Sequence, residues 1–411
     1  MDMNNAYYLG LDAKHTMGTY GRLPVAVSHG KNATLYDCDG KKYIDFTSGI
    51  GVNSLGLCDE GWTAAVTEQL GKFAHMSNYY VSPTAAELGC ALTTASGMSK
   101  VFFCNSGAEA NEGAIKLARK YSRDKYGFGK PGNTRATIIT LKNSFHGRTI
   151  TTLAATGQDK FHLDFAPYTE GFKYVPPNDI DALREAMTPD VCGFMIETIQ
   201  GEGGVNFLRG AYLRDAEELC REYDVALIVD EVQTGIGRTG RFLTCQNYGI
   251  EPDIITLAKG LGGGLPIGAF LCNERYASVL GPGDHGSTFG GNPVACAGAL
   301  EVVRRVSDQA FLRSVRDKGE YLRSRIKSMN IPIVREVRGL GLMTGVEIDG
   351  NPSEYVKKCC NAGLLILSAG KNVLRFLPPL TITYEELDAG LEILGAVLGE
   401  DKRCDDEAEP A

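Results

Sequence analysis

Through the middle of the chain, short apolar runs alternate with longer stretches of helical period, and each run breaks off into a polar or glycine-rich cluster. The runs are Val101–Cys104, Thr137–Leu141, Gly193–Ile196, Ala226–Val229, Ile254–Leu257 and Ala269–Cys272. Mostly apolar on both faces, they predict the buried strands of a mostly parallel sheet. Amphipathic segments such as Glu109–Tyr121 and Leu213–Tyr223 fall between some of them, which is the punctuation of an α/β fold. In open sheets of this kind ligands gather beyond the carboxyl ends of the strands. The segments that follow the runs therefore carry the chemistry: Asn105-Ser106-Gly107, Asn143 to Arg148, Glu197 to Gly204, Asp230 to Gln233 and Lys259 to Gly264.

After residue 300 the pattern changes. A charged helix is expected over Gln309–Met329, short strands around Val334–Ile348 and Val373–Phe376, and a last helix after Thr383, which has capping-box spacing to Glu386. Near the start, Thr34–Tyr36 and Lys42–Phe46 read as a hairpin about Asp39-Gly40. These features predict a large domain at 56–300. A smaller α+β domain is built from residues 1–55 and 301–400, and residues 401–411 form a frayed tail.

The whole-chain numbers narrow the function. With 411 residues and 43% hydrophobic positions the chain is an ordinary globular protein of two or three domains. Its 42 basic and 50 acidic residues leave a net charge of −8, a poor footing for nucleic acid. No apolar run reaches the roughly 20 residues of a membrane span and no leader pattern opens the chain, so a cytoplasmic protein is expected. The 12 cysteines include no C-x-x-C pair and several sit in apolar runs, which reads as reduced core thiols with no metal site.

Three clusters bear on cofactors. Ser106-Gly107-Ala108-Glu109 opens a helix after a strand, where free backbone N–H groups and the positive helix end attract phosphate; an ordinary helix cap has the same spacing. Gly235 to Gly240 matches G-x-G-x-x-G, but five residues separate it from the strand and no apolar helix follows, so the dinucleotide reading is weak. Gly260 to Gly264 follows a lysine, the wrong order for a P-loop. Asp230 and Lys259 each end a strand about one βαβ step apart. An acid and an amine facing one crevice beside a phosphate cup are what pyridoxal phosphate demands: the lysine forms a Schiff base, the acid keeps the ring nitrogen protonated and the helix end holds the phosphate.

The chain then resembles the class III, fold-type I pyridoxal-phosphate aminotransferases over nearly its whole length, and among them the branch acting on acetylornithine. The matching strings are Tyr36-Asp37 with Asp39-Gly40, Asn105 to Asn111, Ser144 to Thr149, Leu153 to Gly157, Gln200 to Val205, Asp230 to Gly240, Ala258 to Gly264, Thr288 to Pro293 and Leu374 to Pro379. The resemblance implies roles residue by residue. Lys259 and Asp230 would be catalytic. Phe145 and Val232 would cover the two faces of the ring, Gln233 would sit near the phenolic oxygen, and Ser106, Gly107 and Ala108 would hold the phosphate. Thr288 would reach that phosphate from a neighbouring subunit, which implies a homodimer. Arg148 would bind the carboxylate of acetylornithine and the distal carboxylate of 2-oxoglutarate, Arg375 the α-carboxylate of glutamate, and Glu202 would mask Arg375 when the first substrate is bound.

One string departs from the family: Gly56 to Gly61 stands where a Gly-His-x-His-Pro run is usual. His146 fits either a proton relay or packing. Ornithine, succinylornithine and 4-aminobutyrate aminotransferases share the cofactor residues. From other classes, a dinucleotide-binding oxidoreductase or a non-catalytic binding protein on the same fold are the alternatives.

Overall fold

A computed structural model describes residues 3–127 and 135–399; the tail expected at 401–411 lies outside them. The described residues separate into two compact units, one of Gly61–Ser314, the other of the residues up to Glu60 with those from Val315 onward. The border expected at residue 300 falls inside the helix Pro293–Val306, whose face from Val294 through Val303 is buried. That helix stays with the larger unit. Among the described residues no helix is long and apolar enough to cross a membrane.

The larger unit is built on seven strands: β1 (Lys100–Cys104), β2 (Thr137–Leu141), β3 (Phe172–Val175), β4 (Val191–Ile196), β5 (Ala226–Asp230), β6 (Ile254–Leu257) and β7 (Gly268–Cys272). They lie in the order β1-β7-β6-β5-β4-β2-β3. β7 is antiparallel to both its neighbours, and every other pairing is parallel. β2, β4, β5, β6 and β7 are buried along their whole length, whereas the outer strands β1 and β3 are half-exposed. All six apolar runs are strands. β3, Phe-Lys-Tyr-Val, was not among them because an edge strand needs no continuous apolar run.

Helix α1 (Gly107–Tyr126) leaves β1 through Ser106, whose extended backbone and hydroxyl cap it by accepting the Glu109 N–H at 3.2 Å. The reciprocal half of the expected box reaches one residue further back, since Glu109 Oε2 accepts the Asn105 backbone N–H at 2.5 Å and its side-chain N–H at 2.9 Å. Ala110, Ala114, Ile115, Leu117 and Ala118 form the buried stripe of α1, the 3.6-residue period of a helix lying on a sheet.

In the smaller unit Val27–Lys31, Thr34–Asp37 and Lys42–Asp45 form an antiparallel meander joined by Leu364–Leu365. A second sheet holds Val334–Leu340, Met343–Ile348, Val373–Phe376 and Leu367–Ala369. The Thr383 capping box forms as its spacing predicts, with bonds of 3.0 and 3.1 Å. Glu386 in addition accepts the Ala33 N–H at 3.1 Å and the Asn32 side chain at 2.5 Å, tying the last helix to the first strands. Within the divergent Gly56 to Gly61 stretch, Leu57 exchanges two backbone bonds with Asn32 at 2.8 and 2.9 Å.

Gly113 shows how closely α1 meets the sheet: a Cβ there would lie 2.3 Å from the Phe270 ring of β7. Alanine inside a helix normally gains about 1 kcal/mol over glycine, but overpacking of this kind costs about 1 to 3 kcal/mol. Gly113→Ala is therefore expected to lower stability by a net of about 1 kcal/mol, seen as a lower urea midpoint; a midpoint equal to or above the wild type would show that the ring yields freely.

Candidate active site

Because β1, β2, β4, β5 and β6 all point the same way, their carboxyl ends share one edge of the sheet, and each expected site segment leaves from it. Asp230, the last residue of β5, is 4% exposed. An ionised carboxylate taken that far out of water requires hydrogen-bond compensation. Oδ2 accepts the Asn111 side chain at 2.8 Å and meets His146 Nδ1 at 2.8 Å, while Oδ1 accepts the Val232 N–H at 3.0 Å. Asn111 also donates to the His146 carbonyl at 2.7 Å, so α1, the loop after β2 and the turn after β5 meet on one acid. His146 Nε2 is buried with no hydrogen-bond partner among the described residues.

The amino end of α1 stands beside this group. A Cβ on Gly107 would lie 2.8 Å from Val232, and one on Gly147 would lie 2.9 Å from the Ala108 Cβ. The Ser106-Gly107-Ala108 turn is thus held between Val232 and the Phe145–Arg148 loop, with the positive end of a 20-residue helix at the centre.

Phe145 is held by its backbone, which donates to Glu197 Oε1 at 2.9 Å. Glu197, just past β4, gives its second oxygen to the Gly201 N–H at 3.2 Å. Burial pushes its carboxyl up to about 7, with the Asp230 charge adding to the rise and His146 and the two N–H groups opposing it. Next along the chain, Glu202 Oε1 accepts the Gln233 side chain at 3.3 Å. Arg148 lies over aromatic faces, its guanidinium carbon 4.3 Å from the Phe161 ring centre and 5.6 Å from that of Phe145.

Lys259 is brought to the same edge by register. Asp230 pairs with Thr256 of β6, three residues before it. Its backbone takes φ +37°, a left-handed conformation that a lysine adopts only when its surroundings impose it. Thr288 is on an exposed loop whose Ser287 hydroxyl accepts from the Asn105 side chain at 3.1 Å. Arg375 belongs to the strand Val373–Phe376 of the smaller unit and is buried.

The weak dinucleotide reading of Gly235 to Gly240 finds no helix behind it, only a turn and a short 3₁₀ segment at Thr244–Asn247. Asn111 and Glu197 take part in the site without having been assigned a role from the sequence. Asn111 is one turn beyond Gly107 on the buried face of α1, and Glu197 is the first charged residue after a fully apolar strand. A flat heterocycle with a basic nitrogen and a phosphate fits this donor set: a buried acid, a lysine at a strand end, an aromatic side chain and a helix amino end.

Residues 17–398 match the family model Aminotransferase class-III. The acetylornithine aminotransferase of Haemophilus ducreyi is 51% identical over 95% of this chain and 98% of its own. Two solved structures of the Toxoplasma gondii ornithine aminotransferase are 34% identical, cover 97% of this chain and 96% of theirs, and superpose with TM-scores of 0.92 and 0.91, the second reporting pyridoxal phosphate at its active site. Fold, motif order and these likenesses agree over almost the full length, so the chain belongs to the class-III aminotransferases, enzymes whose cofactor is pyridoxal phosphate.

Proposed function

We propose that this aminotransferase moves the terminal amino group of N2-acetyl-L-ornithine to 2-oxoglutarate, giving N-acetyl-L-glutamate 5-semialdehyde and L-glutamate, a step of arginine biosynthesis in the cytoplasm. The observation that carries the reading is the 51% identity, along nearly the whole chain, to a relative that bears the name of this activity. The Toxoplasma structures support a neighbouring reading with ornithine as donor. Against it stands His146, where the ornithine branch usually carries tryptophan. Acetylornithine, ornithine, succinylornithine and 4-aminobutyrate, each tested with 2-oxoglutarate, separate the readings. Acetylornithine is expected to have the highest kcat/KM, and a higher value for ornithine would reassign the substrate.

When bound, pyridoxal phosphate supplies the electron sink that lets an amino group leave one carbon and join another. In this reading Lys259 would hold the cofactor and would be the group able to carry a proton at the reacting carbon. Asp230, fixed by Asn111 and His146, would keep the ring nitrogen protonated. Ser106, Gly107 and Ala108 would offer N–H groups and a hydroxyl to its phosphate, Phe145 and Val232 would cover its ring, and Gln233 would stand by its phenolic oxygen.

Arg148 and Arg375 divide the carboxylates. The donor half-reaction has a single, distant carboxylate and uses Arg148; the acceptor half has one at each end and uses both. Loss of a charge-assisted hydrogen bond costs about 1.5 to 3 kcal/mol, about ten- to a hundredfold. Arg375→Ala is expected to slow the 2-oxoglutarate half by that factor and spare the acetylornithine half, while Arg148→Ala slows both. Single-turnover rates of each half read this directly, and equal damage to both halves from Arg375→Ala would refute the division.

A homodimer with Thr288 serving its partner's phosphate is the assembly we infer. Tyr79, Tyr80, Val81 and Phe289 are 95%, 69%, 87% and 60% exposed. Asn78 fastens their segment to the Thr288 loop through the carbonyls of Ser287 and Gly290, both at 2.9 Å. An apolar surface of this kind beside a site loop supports self-association. Mixing Lys259→Ala with Thr288→Ala chains should then regain wild-type turnover at one site of each mixed dimer. Activity no higher than the average of the two parents would place Thr288 in its own chain's site.

A further inference from the structure

Glu197 is a buried carboxylate, 4% exposed, at the carboxyl end of β4, between the two segments that carry Phe145 and Glu202. Such groups are commonly simple structural ties. This one is distinguished by what its two oxygens hold. Oε1 accepts the N–H of Phe145, at 2.9 Å, and Oε2 the N–H of Gly201, at 3.2 Å. Gly201 in turn fits against Gln233 so closely that a Cβ would come within 2.1 Å of its amide oxygen, and Gln233 donates to Glu202. Lower down, Gln200 donates to the Lys142 carbonyl at 2.9 Å, fixing the bases of the same two segments. Nearer the tips, the carboxylate of Glu197 bonds to both.

We propose that Glu197 is a positioning residue that couples Phe145 to the Gly201–Glu202 turn, so that the side chain against the cofactor ring and the carboxylate read as masking Arg375 are set together. The inference rests on the role given to Phe145 in the functional reading above and on the masking of Arg375 by Glu202 that the family resemblance implies. Its chemistry is specific to a carboxylate. Both partners are N–H donors, and the ionised carboxyl, which with its pKa raised to about 7 is the prevailing form above neutral pH, offers each an acceptor oxygen; an amide would turn its own NH₂ toward one of them. Asp230 and His146 are the charged and titratable neighbours that face it, and the first of these belongs to the group under the ring.

The test uses holoenzyme. Glu197→Gln is compared with wild type by amide hydrogen exchange resolved over residues 143–149 and 199–205, with β6 as internal control, and by circular dichroism of the bound cofactor's visible band. The expected result is exchange about ten- to a hundredfold faster in both segments, the scale of one charge-assisted hydrogen bond, unchanged exchange in β6 and a weaker cofactor signal. Faster exchange in one segment only, or in neither, overturns the coupling. Should Glu197→Gln fail to fold, Glu197→Asp keeps the charge on a side chain one methylene shorter that reaches one partner. It is expected to protect one segment, release the other and weaken the cofactor signal; full protection of both segments with an unchanged signal overturns the proposal. A wild-type holoenzyme that transfers no amino group from any donor would instead refute the functional reading, and the exchange result would still report on the coupling.

Discussion

The burial of the Asp230 carboxylate is the constraint on which the rest of the site depends. At 4% exposure an uncompensated carboxylate would cost several kcal/mol. Its three hydrogen-bond partners come from three different places: Asn111 from α1, His146 from the loop after β2 and the Val232 N–H from its own turn. Satisfying one charge therefore fixes the start of α1, the loop that carries Phe145 and the turn that carries Val232, the three segments to which the functional reading assigns the phosphate and the two faces of the ring. Removing any one partner leaves the carboxylate short of a bond and loosens the segment that supplied it.

Close approach does the remaining positioning. Where α1 begins, the space between Gly107 and Val232 and between Gly147 and Ala108 is too small for a further carbon atom. The Ser106-Gly107-Ala108 turn is thus set by contact on both sides as well as by hydrogen bonds. At Lys259 the same economy takes the form of backbone strain: a residue in a left-handed conformation is held where the strand ends and the short 3₁₀ turn begins.

Much of this was legible in the sequence, for a physical reason. Strands buried on both faces must be apolar throughout, so six of the seven strands of the sheet announced themselves, and the segments that end them were necessarily the site segments. Apolarity carries no direction, so the antiparallel course of β7 was not legible, and the half-exposed β3 with its Lys173 was not either. The helix amino end at Ser106 could be read from its cap, but not that Glu109 would turn back to Asn105. Asn111 and Glu197 fell within strings read as site segments but received no role of their own, because the partners that define those roles are distant in the chain. The likeness to a family supplied the roles of Arg148, Thr288 and Arg375; their residue types alone fit a surface ion pair or loop as well.

The tie between Glu386 and the Asn32–Ala33 segment has a consequence for the order in which the protein is made. The first strands to leave the ribosome hydrogen-bond to one of the last helices, with the whole of Gly61–Ser314 between them. A contact of such long sequence separation forms late. While the intervening unit completes its own sheet, the strand Lys42–Asp45 also lacks Leu364–Leu365, which pairs along its free side, so the amino-terminal strands have an open edge and a partner not yet synthesised. The nascent chain must keep that edge from pairing elsewhere until residues near its end arrive to cover it.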